Sequence, residues 1–381
     1  MTKYLVLGLG MMGEAICYDL LTHDLNAEVN ALEIDSERII AVKQKFKTYQ
    51  NRFTTHQFSI TEREQLVGLM KTVDVAFGAI DYKFNVYLTN ICIETRTHYL
   101  DLGGNPEVVK EQYELTEAAK SAGVTIIPDC GLAPGMVNII TAHLIESMDN
   151  PSEAHIRVGG LPRVPTGLLK YQQVFSIRGL TNEYLEDAIV IRDGHIQLVP
   201  SMTELETLYF PQPFGTLEAF QTAGGTSSLP RLYEGKLDEL TYKTIRYPSH
   251  MQYFRFLIDL GLLADEMIPE TSQTVRELTE KKLVEYLPRD EPDVVLIRLS
   301  VFGRQDESDV QLTWQCIDYE DPESEISAMG RTTSYPISII GQMIAKQQIT
   351  DRGVVPGEKV VPAKSFLTEL EARDIIFEEL D

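Results

Sequence analysis

Cysteine is scarce: Cys17, Cys92, Cys130 and Cys316 make up the whole complement of four, and no two form a CxxC pair, which argues against a zinc cluster or a disulfide framework. Reduced, buried thiols are expected instead. Basic residues are in deficit, 34 Lys and Arg against 57 Asp and Glu, and the formal net charge is −23. Such a chain lacks the cationic face that displaces counterions from phosphate, so neither nucleic acid nor an anionic membrane is an expected partner. No apolar run approaches the ~20 residues that span a bilayer. No basic-then-apolar leader precedes Tyr4, where a first strand is already expected, so the chain is expected to be cytoplasmic. The seven histidines are scattered and form no ligand set, so no metal is expected; His143 falls on an apolar helical stripe and reads as a core residue. The lone Trp314 also reads as core. Internal repeats and low-complexity tracts are absent.

With 381 residues and 43% apolar content, the chain can fill two cores, and two domains are expected. The first opens with an apolar strand from Tyr4 that runs into Gly8, Gly10 and Gly13, and a helix with stripe residues Met12, Ala15, Ile16 and Leu20 follows. A glycine triplet between strand and helix is the dinucleotide-binding turn, with Met11 and Met12 opening the helix beside the pyrophosphate. The next strand ends at Glu33, about 20 residues past Gly13, where an acid accepts hydrogen bonds from the adenosine ribose hydroxyls and repels a 2′-phosphate. Asp35 is close enough to share that role. NAD is therefore the expected cofactor, although Arg38 stands near the same strand end.

A third strand is expected over 55–60, with Thr61 and Glu64 as a capping box for the helix that follows. Residues 73–80 read as a buried parallel strand ending in Gly78 and Ala79, small enough to admit a dinucleotide. A helix over 83–95, a strand over 98–103, a helix over 107–122 and a strand over 124–127 complete a βα alternation. The expected fold is α/β: a Rossmann-type doubly wound parallel sheet, whose ligands sit beyond the carboxyl ends of its strands. The segments beginning at Gly103 and at Asp129 leave that edge, and a helix beginning near Met136 aims its free amides the same way.

From about residue 150 the pattern changes to alternating strands: 154–158, 171–177, a hairpin over 189–198, 242–247, 293–302 and 310–319. Residues 251–288 look helical. This is a second domain of α+β character.

The ordered set of GxGxxG, LDLGGNP (100–106), DCGLAPGM (129–136), VGGLP (158–162), GGTSSLP (224–230) and RYPSH (246–250) resembles the saccharopine dehydrogenase-like superfamily over essentially the whole chain. Within it the chain is most similar to the NAD-dependent lysine 6-dehydrogenases. That resemblance implies oxidative deamination of the lysine side-chain amine to 2-amino-6-oxohexanoate, which cyclises to piperideine-6-carboxylate, with release of ammonia. It also implies a carboxy-terminal segment returning to the first domain, giving domains 1–134 with 331–381 and 135–330, and a homo-oligomer built through the second. Saccharopine-forming relatives often carry Asp where Ala133 stands. The alternatives are a saccharopine or carboxynorspermidine-type dehydrogenase, which joins an amine to a carbonyl compound, and a non-catalytic NAD-binding protein.

Hydride transfer from an amine carbon needs the nitrogen lone pair, and an amine of pKa ~10.4 must be deprotonated first. Asp129 is the first candidate base, Glu218 the second, and Lys83 could orient cofactor or water. A substrate carboxylate needs a cation, for which Arg157, Arg163, Arg178 and Arg246 are available. Tyr171, Thr226, Ser227 and His250 are polar candidates for the rest of an amino-acid substrate.

Overall fold

The computed structural model describes residues 1–289 and 291–380. In chain order it opens with β1 (Thr2–Leu7), α1 (Met11–His23), β2 (Ala27–Leu32), α2 (Ser36–Lys45), β3 (Phe53–His56), α3 (Arg63–Met70) and β4 (Val75–Gly78). Then come α4 (Asn85–Thr95), β5 (His98–Asp101), α5 (Pro106–Glu114), α6 (Thr116–Ala122), β6 (Thr125–Ile127) and α7 (Met136–Glu146). The middle of the chain supplies β7 (Asn150–Pro162), α8 (Ile177–Leu185), β8 (Ala188–Arg192), β9 (His195–Val199), β10 (Glu206–Phe210), β11 (Gly215–Gln221), α9 (Leu229–Tyr233) and β12 (Glu239–Arg246). After α10 (His250–Asp259), α11 (Val275–Tyr286), β13 (Asp293–Gln305) and β14 (Ser308–Tyr319), the chain ends in α12 (Ala328–Ala345), β15 (Gly353–Val354), α13 (Gly357–Val360), α14 (Ala363–Glu371) and β16 (Glu378–Leu380).

Two compact units result. The first comprises residues 1–143 and 330–375 and is the Rossmann-type sheet, parallel throughout, in the order β15-β6-β5-β4-β1-β2-β3. The order reverses between β1 and β4, and such a switch point opens a crevice at the strands' carboxyl ends. Its strands are nearly continuous apolar runs, as burial on both faces demands, and Leu5, Leu7, Ala76, Tyr99 and Ile126 meet in one core. The third strand lies at Phe53–His56, upstream of the expected 55–60, because the chain already bends at Phe58 and turns at Ile60 and Thr61. The carboxy-terminal segment does return to this unit: β15 extends the sheet beside β6. Arg373 holds Asp19 of α1 in a fully buried bidentate pair, Nε to Oδ1 at 2.6 Å and Nη2 to Oδ2 at 3.2 Å.

The second unit, residues 144–329 and the last strand, is built on a nine-stranded sheet whose central path is β10-β11-β12-β7-β13-β14-β16, with β8 and β9 joined to β12. It is mixed: β12 and β7 run parallel while their neighbours are antiparallel. The expected strand over 171–177 does not form; Ser176 instead accepts a hydrogen bond from the Gly179 N–H at 3.0 Å and caps α8. The helical stretch after 250 is interrupted: α10 ends before Gly261, at φ +79°, and Thr274 starts α11 through a reciprocal capping box with Glu277. Thr274→Ala removes one side of that box, and chemical denaturation should register a loss of about 1 kcal/mol. Among the described residues no helix is long and apolar enough to cross a membrane.

Candidate active site

The glycine turn shows why each of its glycines is there. Gly8 has φ +96°, and a Cβ on it would sit 2.7 Å from the Ala79 carbonyl oxygen. A Cβ on Gly13 would lie 1.8 Å from the Gly8 carbonyl oxygen, so α1 reaches the turn only without one. Gly10 has nothing within 4 Å of that position and caps α1 without a side-chain bond. Open space at a helix amino end, where backbone N–H groups and the helix dipole converge, fits a pyrophosphate. Ser334 of the returning α12 braces the turn by donating to the Met12 carbonyl at 3.0 Å, whereas Met11 is about half exposed.

Glu33 ends β2 as expected, and its carboxylate is firmly held. Oε2 accepts from the Leu9 N–H at 2.8 Å, and Oε1 from those of Ile34 at 2.7 Å and Asp35 at 3.0 Å. Arg38 donates from Nε to the Leu9 carbonyl and pairs with Glu14, which also holds Lys45. The cation that could have met a 2′-phosphate is thus committed elsewhere. Asp35 caps α2 by accepting from Glu37 and Arg38 N–H groups, so its carboxylate serves the helix rather than a ribose. Gly78 also has a different reason from the one expected: a Cβ there would fall 2.3 Å from the Tyr99 hydroxyl, so packing rather than ligand approach requires glycine. Ala79 continues the strand through its N–H to the Leu7 carbonyl at 2.9 Å.

At the carboxyl ends of β5 and β6 the structure brings Gly103 and Asp129 together. Gly103 has φ +74°, and a Cβ on it would be 1.9 Å from Asp129 Oδ1. Asp129 itself has φ +59°, a left-handed conformation that costs a non-glycine residue energy and occurs where surroundings enforce it. What enforces it is Asp101, fully buried beneath both turns. Its Oδ1 accepts from the N–H groups of Gly103 (2.9 Å) and Asp129 (3.4 Å), its Oδ2 from Gln112 Nε2 (2.7 Å). Burial pushes the Asp101 carboxyl up to about 6 against those three donors. Asp101 was not singled out in the sequence, although a lone acid inside the apolar strand His98–Asp101 is a signal that could have found it.

In the second unit, Tyr171, Arg246 and His250 form one buried cluster. Arg246 on β12 lies 5.0 Å from the Tyr171 ring centre, donates from Nε to the Tyr184 hydroxyl at 2.9 Å and from Nη1 to the Ile245 carbonyl at 2.9 Å. His250 Nδ1 lies 2.8 Å from the Leu169 carbonyl and Nε2 lies 3.0 Å from the Tyr184 hydroxyl. A carbonyl only accepts, so Nδ1 carries the proton and Nε2 accepts from Tyr184. The chain of donors Arg246, Tyr184, His250 is thereby directed. Burial and the neighbouring Arg246 push His250 down to about 3, keeping it neutral. Arg246 has no ion-pair partner among the described residues, and Nη2 is left without an acceptor. The other arginines are spent: Arg157 on Glu206, Arg163 near Glu320 and over Tyr319, and Arg178 on Glu280 and Asp265. A buried guanidinium with one open edge is a site for a carboxylate.

Several expected site residues have other work. Glu218 cannot act as a free base while its oxygens accept from Ser249 N–H (2.9 Å) and Met251 N–H (2.8 Å), anchoring the start of α10. Lys83 is mostly exposed and paired with Asp81 at 2.8 Å. Thr226 donates to the Ile189 carbonyl at 3.2 Å, and Ser227 takes a left-handed turn at φ +46°. Tyr184 was missed; the stripe Ile177, Leu180, Thr181, Tyr184 marks α8 as amphipathic, but nothing local ties Tyr184 to Arg246 or His250.

Residues 4–127 match the family profile described as saccharopine dehydrogenase NADP binding domain, and residues 131–376 match that of the saccharopine dehydrogenase C-terminal domain. The chain belongs to the saccharopine dehydrogenase family. The glycine turn of this family member is accordingly a nicotinamide-dinucleotide site, and NAD stands as its cofactor. Among similar proteins, saccharopine dehydrogenase [NADP(+), L-glutamate-forming] of Pyricularia oryzae is 26% identical over 58% of this chain and 51% of its own length. The mitochondrial alpha-aminoadipic semialdehyde synthase of Bos taurus is 23% identical over 74% of this chain and 31% of its own. Carboxynorspermidine synthase of Vibrio cholerae is 23% identical over 61% of this chain and 58% of its own. The matched region thus spans about half, or less, of the first of these relatives. In structure, apo saccharopine dehydrogenase (L-Glu forming) from Saccharomyces cerevisiae superposes over 100% of this chain and 99% of its own with a TM-score of 0.81 at 17% identity, which establishes the fold. These relatives overturn the expected lysine 6-dehydrogenase activity: their names are those of saccharopine dehydrogenase, alpha-aminoadipic semialdehyde synthase and carboxynorspermidine synthase, not of an ammonia-releasing lysine dehydrogenase.

Glu33 predicts a measurable cofactor preference. Steady-state kcat/KM should favour NAD over NADP by tenfold or more, and Glu33→Ser should bring the two close to parity by removing the charge that opposes a 2′-phosphate. Equal use of both cofactors by the unaltered protein would remove Glu33 from that role.

Proposed function

We propose that this protein is an NAD(P)-dependent dehydrogenase that makes and breaks the secondary amine between an amino acid and a carbonyl compound, a reaction of saccharopine or carboxynorspermidine type. The observation that supports it is Arg246: a buried cation with an open edge and no carboxylate of its own, suited to a substrate that brings one. Bound at the glycine turn, the dinucleotide accepts or supplies the hydride. The residues of the chain bind and orient the substrate and handle its proton. In the oxidative direction the substrate nitrogen must shed a proton before its carbon gives up hydride, and water then splits the resulting imine into carbonyl compound and primary amine. Asp129 is the proposed acceptor of that proton. With Ala133 where related enzymes often have Asp, Asp129 is the carboxylate of this turn, and Asp101 holds its backbone in place.

The test follows NADH in both directions. Saccharopine should reduce NAD, and NADH should be oxidised when 2-aminoadipate 6-semialdehyde and L-glutamate are supplied together but not singly; 2-oxoglutarate with lysine, and aspartate semialdehyde with a diamine, complete the panel. Formation of NADH and ammonia from lysine alone would overturn the proposal.

A further inference from the structure

Arg246 differs from three other buried arginines in what holds it. Arg157, Arg276 and Arg373 each meet a carboxylate, from Glu206, Glu280 and Asp19. Arg246, 2% exposed, makes its hydrogen bonds among the described residues to neutral groups, the Tyr184 hydroxyl at Nε and the Ile245 carbonyl at Nη1. A carboxylate would grip the guanidinium more strongly, but it would also spend the charge that a ligand's carboxylate needs. A hydroxyl holds without neutralising, provided that its own proton has somewhere to go. His250 takes that proton: Nδ1–H donates to the Leu169 carbonyl at 2.8 Å, which leaves the Nε2 lone pair facing the Tyr184 O–H at 3.0 Å. With its proton committed there, Tyr184 turns only lone pairs toward Arg246. The imidazole is held in that state. It is 1% exposed and packed against Phe254, Tyr171 and Phe220, with ring centres 4.8, 5.4 and 6.5 Å away. It opens α10, where the helix dipole opposes a positive charge, and burial and Arg246 keep the ring neutral. Its backbone is fixed as well, because Glu218, opposite Arg246 on β11, accepts from the N–H groups on either side of it, those of Ser249 and Met251.

We propose that His250 is a positioning residue for the substrate carboxylate: by taking the Tyr184 proton it makes the Tyr184 oxygen an uncharged rest for Arg246, so that Nη2 is presented with the charge of the guanidinium unspent. The proposal rests on Arg246 as the carboxylate-binding cation of the proposed function and adds the group that acts behind it, through Tyr184 and without touching the substrate. Lacking an acceptor at Nε2, the buried Tyr184 hydroxyl would have to turn toward another one, and the guanidinium would lose its rest. A protonated imidazole would donate at both nitrogens and set a second positive charge beside Arg246. The two hydrogen bonds of His250 can be separated by substitution. Gln reaches the Nε2 position, keeping an acceptor for Tyr184 and giving up the Leu169 carbonyl. Asn reaches only the Nδ1 position, keeping a donor for Leu169 and giving up Tyr184. A role confined to packing or to anchoring Leu169 makes Asn the equal of Gln or better, whereas a role through Tyr184 makes Gln the better replacement.

The test uses the full-length protein saturated with NAD, with glutarate binding measured by calorimetry and saccharopine turnover on the same preparations. Glutarate should bind the unaltered protein and be lost from Arg246→Gln. His250→Gln should stay within about threefold of the unaltered affinity, whereas His250→Asn and Tyr184→Phe should each weaken binding by ~10-fold, the scale of one unmade buried hydrogen bond. In the Tyr184→Phe background His250→Asn should add less than about twofold, since both act through one bond. With saccharopine the losses should appear in KM and leave kcat within about twofold, as for a contact made equally in ground and transition states. This glutarate pattern without saccharopine turnover overturns the reaction assignment and leaves the positioning role standing. That role is overturned by a loss in His250→Gln equal to or greater than that in His250→Asn, by full additivity with Tyr184→Phe, by losses confined to kcat, or by glutarate binding that is absent from the unaltered protein or survives in Arg246→Gln. If His250→Asn fails to fold, Tyr184→Phe decides alone: a ~10-fold loss supports the role and an affinity within about threefold of the unaltered protein overturns it.

Discussion

Arg246→Gln should lower kcat/KM for the amino-acid substrate by ~10³-fold, the equivalent of about 4 kcal/mol, while NAD affinity stays within twofold. The size follows from what the guanidinium does. Its Nη1 is committed to the Ile245 carbonyl and its Nε to the Tyr184 hydroxyl, and Nη2 is open, so an incoming carboxylate meets a donor that is already aligned and largely dehydrated. Removing one member of a buried, hydrogen-bonded charge pair costs about 2–5 kcal/mol, because the remaining charge is left without compensation. Glutamine fills part of the space and still donates, which limits collapse of the pocket but cannot offer a charged fork. Arg246→Lys should recover little, since a single ammonium cannot reach Tyr184 and the substrate together. NAD affinity is the control, because the glycine turn belongs to the other unit. Steady-state kinetics with saccharopine and NAD titration by fluorescence check the two halves, and a kcat/KM within threefold of the unaltered protein would remove Arg246 from substrate binding.

Local signals carried the nucleotide turn a long way. Strand, three glycines, helix and Glu33 are all fixed by neighbours within one βαβ unit, so their spacing alone states the geometry. The same is true of Asp129 and Gly103 as strand-end residues, though not of the contact between them, which depends on β5 and β6 lying side by side. The second unit was much less legible. Arg246 and Tyr184 are 62 residues apart, and His250 and Leu169 are 81 apart; no periodicity links residues at such distances. Glu218 illustrates the cost of that blindness. In sequence it is an acid at the end of a strand in a polar loop, the same description that fits Asp129. In the fold, its strand lies beside β12, with Glu218 opposite Arg246, and the turn after β12 delivers two backbone N–H groups onto its carboxylate. The run 171–177 has strand-like alternation, yet Ser176 competes successfully for the Gly179 N–H and starts a helix, an instance of side-chain capping overriding local pattern. The buried Arg373–Asp19 pair joins residues 354 positions apart, which is why the return of the chain end could be drawn only from family resemblance.

Asp129→Asn should reduce turnover by ~10²–10⁴-fold, the range general-base removal produces, with NAD affinity nearly unchanged. The substitution isolates the carboxylate unusually well. Asn is among the few residues that accept a left-handed backbone, so the φ of +59° survives, and the Asp129 N–H to Asp101 Oδ1 bond belongs to the main chain. The side chain keeps its shape but loses its charge and its capacity to take a proton. Gly103→Ala tests the same group from the opposite direction. Its new methyl would have to occupy space 1.9 Å from Asp129 Oδ1 at a φ of +74°, displacing the carboxylate while leaving its chemistry intact. If Asp129 accepts the proton, both variants fall together in stopped-flow hydride transfer. A large loss in Gly103→Ala beside normal turnover in Asp129→Asn would mean that the turn matters for its shape alone, and the proton acceptor would then have to be sought outside this strand end.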